Sequence, residues 1–225
     1  MKKPEATLRH ILLSDEIAEF KALAHPMQTE AGYLVYGEEE CSEYVYFIET
    51  GYVKIYRSTS LGRVTTISVR KPGDLIGIAG VLNVRYRCVF AETIEKCKLW
   101  RMEGETFVKM LYARPRWAVQ VATLLGQRLC NAEIAIANLT SMEVNRRLAW
   151  LLMDLARTAG RPGEERLRID VGLTHQDMAS MIGTCRQTVT TALGQFKENG
   201  IIQVGKRYIE IIDVNKLVHM LDLLS

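Results

Sequence analysis

The chain has 225 residues, of which 48% are hydrophobic and 24% are charged, so it is long enough for two modest globular domains. Its formal net charge of +3 is too small to indicate a nucleic-acid partner, which must instead be argued from where the basic residues lie. No apolar run reaches the roughly 18 residues of a membrane span and no cleavable leader is visible, so we expect a cytoplasmic protein without a membrane partner.

The five cysteines are an odd number, lie far apart and form no CxxC pair. They therefore predict neither a disulfide framework nor a zinc site, and we expect no metal in the chain. Free cysteines usually behave as small hydrophobic residues, so we expect these thiols to be reduced and mostly buried.

Residues 1–113 predict an N-terminal β domain behind a short helical segment. Residues 8–24 have scattered apolar positions and predict one or two short helices that end before Pro26. Between Met27 and Met102, runs rich in β-branched and aromatic residues alternate with glycine turns. The runs are GYLVY, YVYFIETGYVKIYR, VTTISVRK and KCKLWRM. Several short strands at this spacing predict an all-β barrel or sandwich.

Residues 114–140 predict one long helix with a narrow apolar stripe, which we call the seam. Its positions recur at alternating spacings of four and three residues: Ala118, Ala122, Leu125, Leu129, Ala132, Ile136 and Leu139. Such a heptad pattern favours two parallel helices packed together, and therefore a homodimer. The alternative is that the stripe covers the chain's own β domain, although that contact usually needs a wider apolar face. Trp117, Val121 and Leu124 offer a second face for such a contact.

Residues 141–225 predict a second, mainly helical domain after a hinge near residues 139–141. A helix with leucines at 148, 151, 152 and 155 comes first, and the polar run RTAGRPGEERL predicts a loop. The following segment LTHQDMASMIGTCRQTVTTALGQF has the pattern of a helix–turn–helix, with Thr174 and Asp177 as a capping box and Gly183 at the turn. Its second helix has an apolar face of Val189, Leu193 and Phe196. Two short strands, IIQV and YIEII, predict a wing.

The outer face of the second helix carries the polar side chains Arg186, Gln187, Thr190 and Thr191. A recognition helix buries one face in its own domain and offers base-reading side chains on the other, near its N-terminus. Arg186 can donate two hydrogen bonds to guanine, Gln187 can pair with adenine, and the threonines suit a thymine methyl or a phosphate. We therefore predict that this helix reads double-stranded DNA. Four further residues are expected on backbone phosphates: Thr174, Gln176, Lys206 and Arg207.

Over most of its length the chain resembles the Crp/Fnr family of bacterial transcription regulators. The resemblance is carried by LTHQDMASMIGTCRQTVTTAL, by the turn KPGDLIG at residues 71–77 and by the strand ETGYVKIYR. It implies an α+β fold: a jelly-roll β-barrel like a cyclic-nucleotide-binding domain (1–113), a long dimerisation helix with a hinge (114–140) and a winged helix–turn–helix (141–225). It also implies that Arg186, Gln187 and Thr191 read base edges in two half-sites beginning with TGT.

The resemblance further implies an effector pocket in the barrel, but the pocket departs from that of the cyclic-AMP receptors. Ile78 stands where those members carry a ribose-binding Glu, and Ala132 and Glu133 stand where they carry the adenine-binding Thr-Ser pair. Arg87 and Cys88 stand at the phosphate-binding Arg-Ser, so half of that clamp remains. We therefore expect cyclic AMP to be unlikely and an anionic small molecule to be a candidate effector. The expected pocket residues are Arg85, Arg87, Cys88 and Arg128.

Two other kinds of sensor in the family depend on residues that can be checked directly. No cysteine precedes Cys41, so the N-terminal iron–sulfur cluster of the oxygen-sensing members is unlikely. No histidine lies in GIAGVLNVRYR, where the carbon-monoxide-sensing members carry a haem ligand. A haem that senses a gas is still conceivable on other ligands, namely His10, His25, Cys88 or Met102.

Two hypotheses follow for function. In the first, the protein is an effector-gated homodimer that binds a two-fold symmetric operator, with RNA polymerase as an expected partner. In the second, the same folds form an enzyme or a redox- or ligand-binding protein-interaction module that binds no DNA. The sequence holds no nucleophile–base pair or phosphate loop, since GTCRQT lacks the Gly-Lys-Ser/Thr of a P-loop, so we predict that it is not an enzyme.

Overall fold

The computed structural model describes residues 14–60, 62, 64–83, 86–159, 167–205 and 208–222. Its N-terminal part comprises α1 (Ser14–Ala22), β1 (His25–Thr29), β2 (Leu34–Tyr36), β3 (Tyr44–Thr50), β4 (Val53–Ser58), β5 (Val64–Arg70), β6 (Leu75–Ile76), α2 (Ile78–Leu82), β7 (Phe90–Thr93), β8 (Cys97–Glu103) and α3 (Gly104–Ala113). Then follow α4 (Pro115–Ser141), α5 (Val144–Ala159), β9 (Leu167–Ile169), α6 (His175–Met181), α7 (Arg186–Glu198), β10 (Ile202–Val204), β11 (Ile209–Ile211) and α8 (Val214–Asp222).

The strands of the N-terminal domain form two four-stranded sheets in the described residues, in the orders β1-β8-β3-β6 and β2-β7-β4-β5. All their pairings are antiparallel. Of the two predicted alternatives, barrel or sandwich, the described residues form two packed sheets that are not closed into a barrel, because no edge strand of one sheet is hydrogen-bonded to the other sheet among them. A jelly roll manages its edges with such a pair of packed sheets.

The two sheets pack face to face around a core of alternating inward-facing residues. Ile48 and Leu99 come from one sheet, Val53 and Ala91 from the other, and all are almost completely buried in one cluster. Alternation of side chains along a strand places every second residue on this inner face. The core therefore holds the two sheets together.

A second cluster attaches the helices to the sheets. Trp117, Val121 and Leu124 of α4 are buried together with Phe20 of α1 and Phe107 of α3. The prediction that these α4 residues form a second apolar face against the chain's own domain is confirmed. Leu125 of the seam also packs against this cluster, whereas the other seam residues lie on another side of the same helix.

Glu49, at the end of β3, fastens α1 to the sheet. Its carboxylate accepts a hydrogen bond from Lys21 of α1, one from Trp100 Nε1 at 2.7 Å, and lies 2.9 Å from Lys98 Nζ. The bond from Lys21 outweighs partial burial and, with those from Trp100 and Lys98, lowers the pKa of Glu49 to about 2. This stabilisation is complete above the unfolded-state pKa of about 4.3 and is lost as the pH falls toward the folded-state value.

The Glu49→Gln variant is therefore expected to lose about 2 kcal/mol of unfolding free energy at neutral pH. A shift of about two pKa units corresponds to roughly 3 kcal/mol, and solvent screening of these partly exposed side chains reduces that figure. The difference from the native chain should shrink as the pH falls below roughly 4. Urea unfolding at neutral and acidic pH measures both values. The Glu105→Gln variant is the control, because Glu105 is exposed and its ion pair is with the exposed Lys109 one turn away in the same helix. Equal stability of Glu49→Gln and the native chain at neutral pH would contradict this account.

The C-terminal domain forms around a core shared by α5, α6, α7 and α8. Leu148 and Leu152 of α5 are buried against Val189 of α7 and Leu217 of α8. β9, β10 and β11 form an antiparallel sheet in the order β10-β11-β9. The sequence analysis predicted a loop through residue 167. In the structure, Leu167 of β9 pairs with Ile211 of β11, so a third strand next to the wing was missed.

Most described cysteines are not buried. Cys41, Cys88, Cys130 and Cys185 are exposed, and Cys97 is buried in the sheet core, so the expectation of mostly buried thiols is wrong. Among the helices that the structure describes, none is both long and apolar enough to cross a membrane. Within the same residues, no group of three or more His, Cys, Asp or Glu side chains is arranged to hold a metal ion.

Candidate DNA-reading surface and arginine cluster

The helix–turn–helix begins with the predicted capping box. The Thr174 hydroxyl accepts from the Asp177 amide at 3.1 Å, and the Asp177 carboxylate accepts from the Thr174 amide at 3.1 Å. These bonds satisfy two amides that have no partner within the helix. Thr174 and Gln176 are exposed at this end of α6. The amide and the hydroxyl of Thr174 both donate to Asp177 Oδ2, so the Gln176 side chain is the better placed donor for a phosphate.

The turn after α6 depends on Gly183. Its φ of +63° lies in the left-handed region that favours glycine, and a Cβ there would come within 2.7 Å of Leu139 Cδ2. The end of α4 therefore lies directly against the turn that positions α7. Arg147 of α5 reinforces this junction by donating to the carbonyl oxygens of Ile182 at 2.8 Å and Met142 at 2.7 Å.

α7 separates its two faces as the sequence predicts. The inner face is buried and consists of Val189, Ala192, Leu193 and Phe196. The outer side chains at the N-terminal end are exposed: Arg186, Gln187, Thr190 and Thr191. This exposed set, together with Thr174 and Gln176, is called the reading surface below.

The Thr190 hydroxyl has protein partners of its own. It donates to the Arg186 carbonyl oxygen at 2.9 Å and lies 2.9 Å from His175 Nδ1 on α6. Because its one proton points to Arg186, the hydroxyl is placed to accept from the His175 ring. Its methyl group is the part left for contact with a base.

A shallow hollow of about 400 Å³ runs along α7 beside the reading surface. Gln187 and Thr191 line it together with Asn145 of α5 and Cys185, the residue before α7. Asn145 was missed in the sequence because it lies 42 positions before Gln187. Only the packing of α5 against α7 brings it to this surface. Lys206 and Arg207, the predicted wing contacts, lie outside the described residues.

In the N-terminal domain, Arg87 is buried and binds the turn at residues 71–77 from the interior of the domain. Its guanidinium donates to the carbonyl oxygens of Gly77 at 2.7 Å and Tyr44 at 2.6 Å, and it lies over the Tyr36 ring at 4.3 Å. Burial lowers the pKa of Arg87. Its Nε is buried without a hydrogen-bond partner among the described residues.

Arg128 approaches the same turn from α4. It donates to the Leu75 carbonyl oxygen at 2.6 Å, and its Nε is also buried without a partner in the described part of the chain. Burial and repulsion by Arg70 lower the pKa of Arg128 to about 10, although Asp74 and Tyr36 oppose this shift. Arg70, Arg87 and Arg128 all interact electrostatically with the Tyr36 hydroxyl, and we call them the arginine cluster.

The three guanidinium groups of the arginine cluster outnumber the carboxylates that act on them. Asp74 acts on Arg70 and Arg128, while the exposed Glu40 acts on Arg87. Two carboxylates therefore face three guanidinium groups in this set. A buried cation without a full counter-charge is costly unless an anion completes it.

The structure does not bring the other predicted pocket residues that it describes into this cluster. Cys88 is exposed, and Arg85 lies outside the described residues. Ile78 is buried in the helix-side core, so it supplies no acceptor for a ribose. Ala132 and Glu133 are exposed on α4. Sequence reasoning missed Arg70 and Tyr36, whose roles depend on the fold bringing β2 and β5 together with α4.

The seam on α4 is largely uncovered in this single chain. Leu129 and Ile136 are each 63% exposed and Leu139 is 45% exposed, although these are large apolar side chains. Ala118, Ala122 and Ala132 are exposed as well, and Leu125 is half-buried. An apolar stripe of this length is unusual on a surface that contacts only water.

Both domains match known families. Residues 26–113 match the cyclic nucleotide-binding domain family, and residues 146–220 match the Crp-like helix-turn-helix domain family. Similar curated proteins include the CRP-like cAMP-activated global transcriptional regulator of Mycobacterium tuberculosis, 28% identical over 89% of this chain and 90% of that protein. The global nitrogen regulator of Synechococcus elongatus is 28% identical over 83% of this chain and 85% of that protein.

Among solved structures, FixK2 from Bradyrhizobium japonicum has the same fold. Its TM-score is 0.79 at 24% identity, and the match covers 88% of this chain and 96% of that one. The two matched domains occur here in the order that the sequence motifs indicate. The chain therefore belongs to the Crp/Fnr family of DNA-binding transcription regulators.

Proposed function

We propose that the protein is a homodimeric regulator that binds a two-fold symmetric operator and responds to an anionic effector. The observation that carries this proposal is the reading surface, where four polar side chains project from a helix whose opposite face is buried. A recognition helix needs this division of faces to enter a major groove.

The exposed seam supports the dimer. Leu129, Ile136 and Leu139 would be covered by the same residues of a second α4, as in a parallel coiled coil. Leu139 also lies against the turn at Gly183, so a change in seam packing would reach α7 through that contact. Effector binding would then act by shifting the population between two arrangements of the DNA-binding domains.

Selection of duplexes from a random DNA library tests the function itself. The native chain is expected to enrich a two-fold symmetric sequence with half-sites beginning TGT, about one DNA turn apart. If the selected duplex also recruits RNA polymerase from a cytoplasmic extract when the protein is bound, the result extends to transcription. Failure to enrich any sequence would favour the protein-interaction alternative.

The arginine cluster supports an anion as the effector. Buried guanidinium groups bind carboxylates and phosphates through charge-assisted hydrogen bonds, and the buried Nε atoms of Arg87 and Arg128 are donors without a partner among the described residues. Cyclic AMP is a poorer candidate, because Ile78 offers its ribose no hydrogen bond. The relative in Mycobacterium tuberculosis is named as cAMP-activated. Ile78 stands where the cyclic-AMP receptors of the family carry a ribose-binding Glu, which predicts a different effector for this chain.

The Arg128→Met variant tests the anion site. The thermal midpoint of the native chain is expected to rise by about 5 °C when inorganic phosphate or citrate is present at a hundredfold excess over its Kd. The variant should show no rise, because it lacks one buried cation. The Arg116→Met variant, which removes an exposed cation from the same helix, should respond like the native chain. A native midpoint unchanged by either anion would remove these ions as ligands of the cluster.

A haem fits the described residues poorly. Met102 is completely buried in the helix-side core, whereas His25 is exposed on the opposite face of the neighbouring strand, and Cys88 is exposed elsewhere. An axial ligand must direct its donor atom into an open pocket, and these three side chains do not converge on one. His10 lies outside the described residues. We therefore propose an anion, rather than haem or a gas, as the effector.

A further inference from the structure

Strand β5 contacts the DNA-binding domain with one face and the arginine cluster with the other. Ile55 pairs with Ser68 and Tyr56 pairs with Thr66, so Ile67 is an extra residue that forms a β-bulge. A bulge changes the alternation of side chains along its strand. As a result, Thr66 and Val69 can both face the DNA-binding domain although they are three residues apart.

The first face of β5 holds α6 through a charged group. Thr66 is 1% exposed, and its hydroxyl donates to Asp177 Oδ1 at 2.8 Å. Lys54 of the neighbouring strand β4 lies 3.7 Å from the same carboxylate oxygen. Asp177 Oδ2 meanwhile accepts from Thr174 in the capping box. One carboxylate therefore caps the first DNA-binding helix and binds it to the N-terminal domain.

Apolar packing surrounds this polar contact. Val69 is buried within the core cluster of the DNA-binding domain, and Tyr52 and Ile94 of the N-terminal domain pack against the same cluster. The Ser180 hydroxyl of α6 also donates to the Val64 carbonyl oxygen at 3.4 Å. α6 is thus docked along β5 at several points, while the reading surface stays exposed.

The second face of β5 points into the N-terminal domain. Arg70, directly after Val69, belongs to the arginine cluster, and the Ser68 hydroxyl is buried without a partner among the described residues. Neighbouring residues of one strand thus contact the candidate anion site and the DNA-binding domain. A displacement of Arg70 would move Val69 with it, because the strand backbone is rigid at this scale.

We propose that Thr66 and Lys54 are positioning residues for DNA binding, which set the orientation of α6 and α7 through Asp177, and that β5 links this contact to the arginine cluster. The inference rests on the proposed function, since it requires a DNA-binding chain. Coupling through β5 would act within one subunit, in addition to the coupling proposed through the seam of α4. The proposal takes the docked orientation as the one that meets DNA. A domain already held in that orientation loses less freedom on binding, so we expect this contact to raise affinity.

The test compares variants of β5 in the full-length chain on the duplex that the native chain selects. Thr66→Val keeps the shape of the side chain but removes the hydroxyl, and is expected to weaken binding about tenfold. Thr66→Ser restores the donor and should bind within about twofold of the native chain. Thr65→Val makes the same chemical change at the neighbouring exposed position and should also bind like the native chain. Lys54→Met should weaken binding and Lys54→Arg should not.

Amide hydrogen exchange separates positioning from folding. In Thr66→Val, exchange within α7 should match the native chain, because the capping box and the inner face are intact, while exchange in β5 should become faster. Native-like affinity of Thr66→Val, or equal weakening by Thr66→Ser, would overturn the inference. If the native chain selects no duplex, the proposed function itself fails, and that result is distinct from a native chain that binds DNA irrespective of Thr66.

Discussion

Replacing Arg186 with alanine is expected to weaken binding to the selected operator by about 10- to 100-fold and to leave the fold intact. A bidentate contact from arginine to guanine contributes roughly 1–3 kcal/mol of discrimination, and about 1.4 kcal/mol corresponds to tenfold in affinity. Arg186 is exposed at the first position of α7, so its removal creates no cavity. Binding titrations at fixed salt, with circular dichroism as a check on folding, measure both expectations.

Two controls test whether a loss of affinity in Arg186→Ala comes from a lost base contact. Lys197→Ala removes an exposed cation from the last turn of the same helix and should cost much less affinity. Exchanging the guanine that Arg186 contacts for another base should weaken binding of the native chain but hardly affect Arg186→Ala. If the variant still discriminates this base as the native chain does, α7 reads DNA differently or not at all.

Placing glutamate at both Leu129 and Ile136 is expected to convert the proposed dimer to a monomer. Each of these side chains is 63% exposed in the single chain, so the substitution should cost the folded monomer little. In a seam, the same carboxylates would be buried opposite their symmetry mates, which is strongly unfavourable. Operator affinity should fall by at least about 100-fold, because one subunit can then engage only one half-site. Sedimentation of the free protein and DNA titrations measure the two effects.

The control for the seam is Gln127→Glu on the same helix. Gln127 is exposed and lies outside the heptad positions, so the added charge should leave the dimer intact. A double variant of Leu129 and Ile136 that sediments as the native chain does would place the subunit interface elsewhere.

The DNA-binding half of the protein was the more predictable from sequence, because its signals are local. Thr174 with Asp177, Gly183 at a left-handed turn and the inner face of α7 are each set within a few residues of one another. The structure confirms all of them. Strand β9 was not predicted, because it is only three residues long and its partner, Ile209–Ile211, lies some 40 residues later in the chain.

The N-terminal domain was less predictable, because its arrangement depends on contacts distant in sequence. Short strands such as β6, with two residues, carry no period of their own, and nothing local distinguishes two packed sheets from a closed barrel. The arginine cluster gathers residues 70, 87 and 128 around Tyr36, and only Arg87 and Arg128 were expected there. The docking of Thr66 on Asp177 spans 111 positions and depends on a bulge that the sequence does not reveal.

Sedimentation of the native chain with its selected duplex, combined with a footprint of the protected bases, tests the central claim most directly. The account predicts two chains on each duplex and two protected half-sites about one DNA turn apart. One chain on each duplex, or protection that does not depend on the sequence of the half-sites, would contradict it.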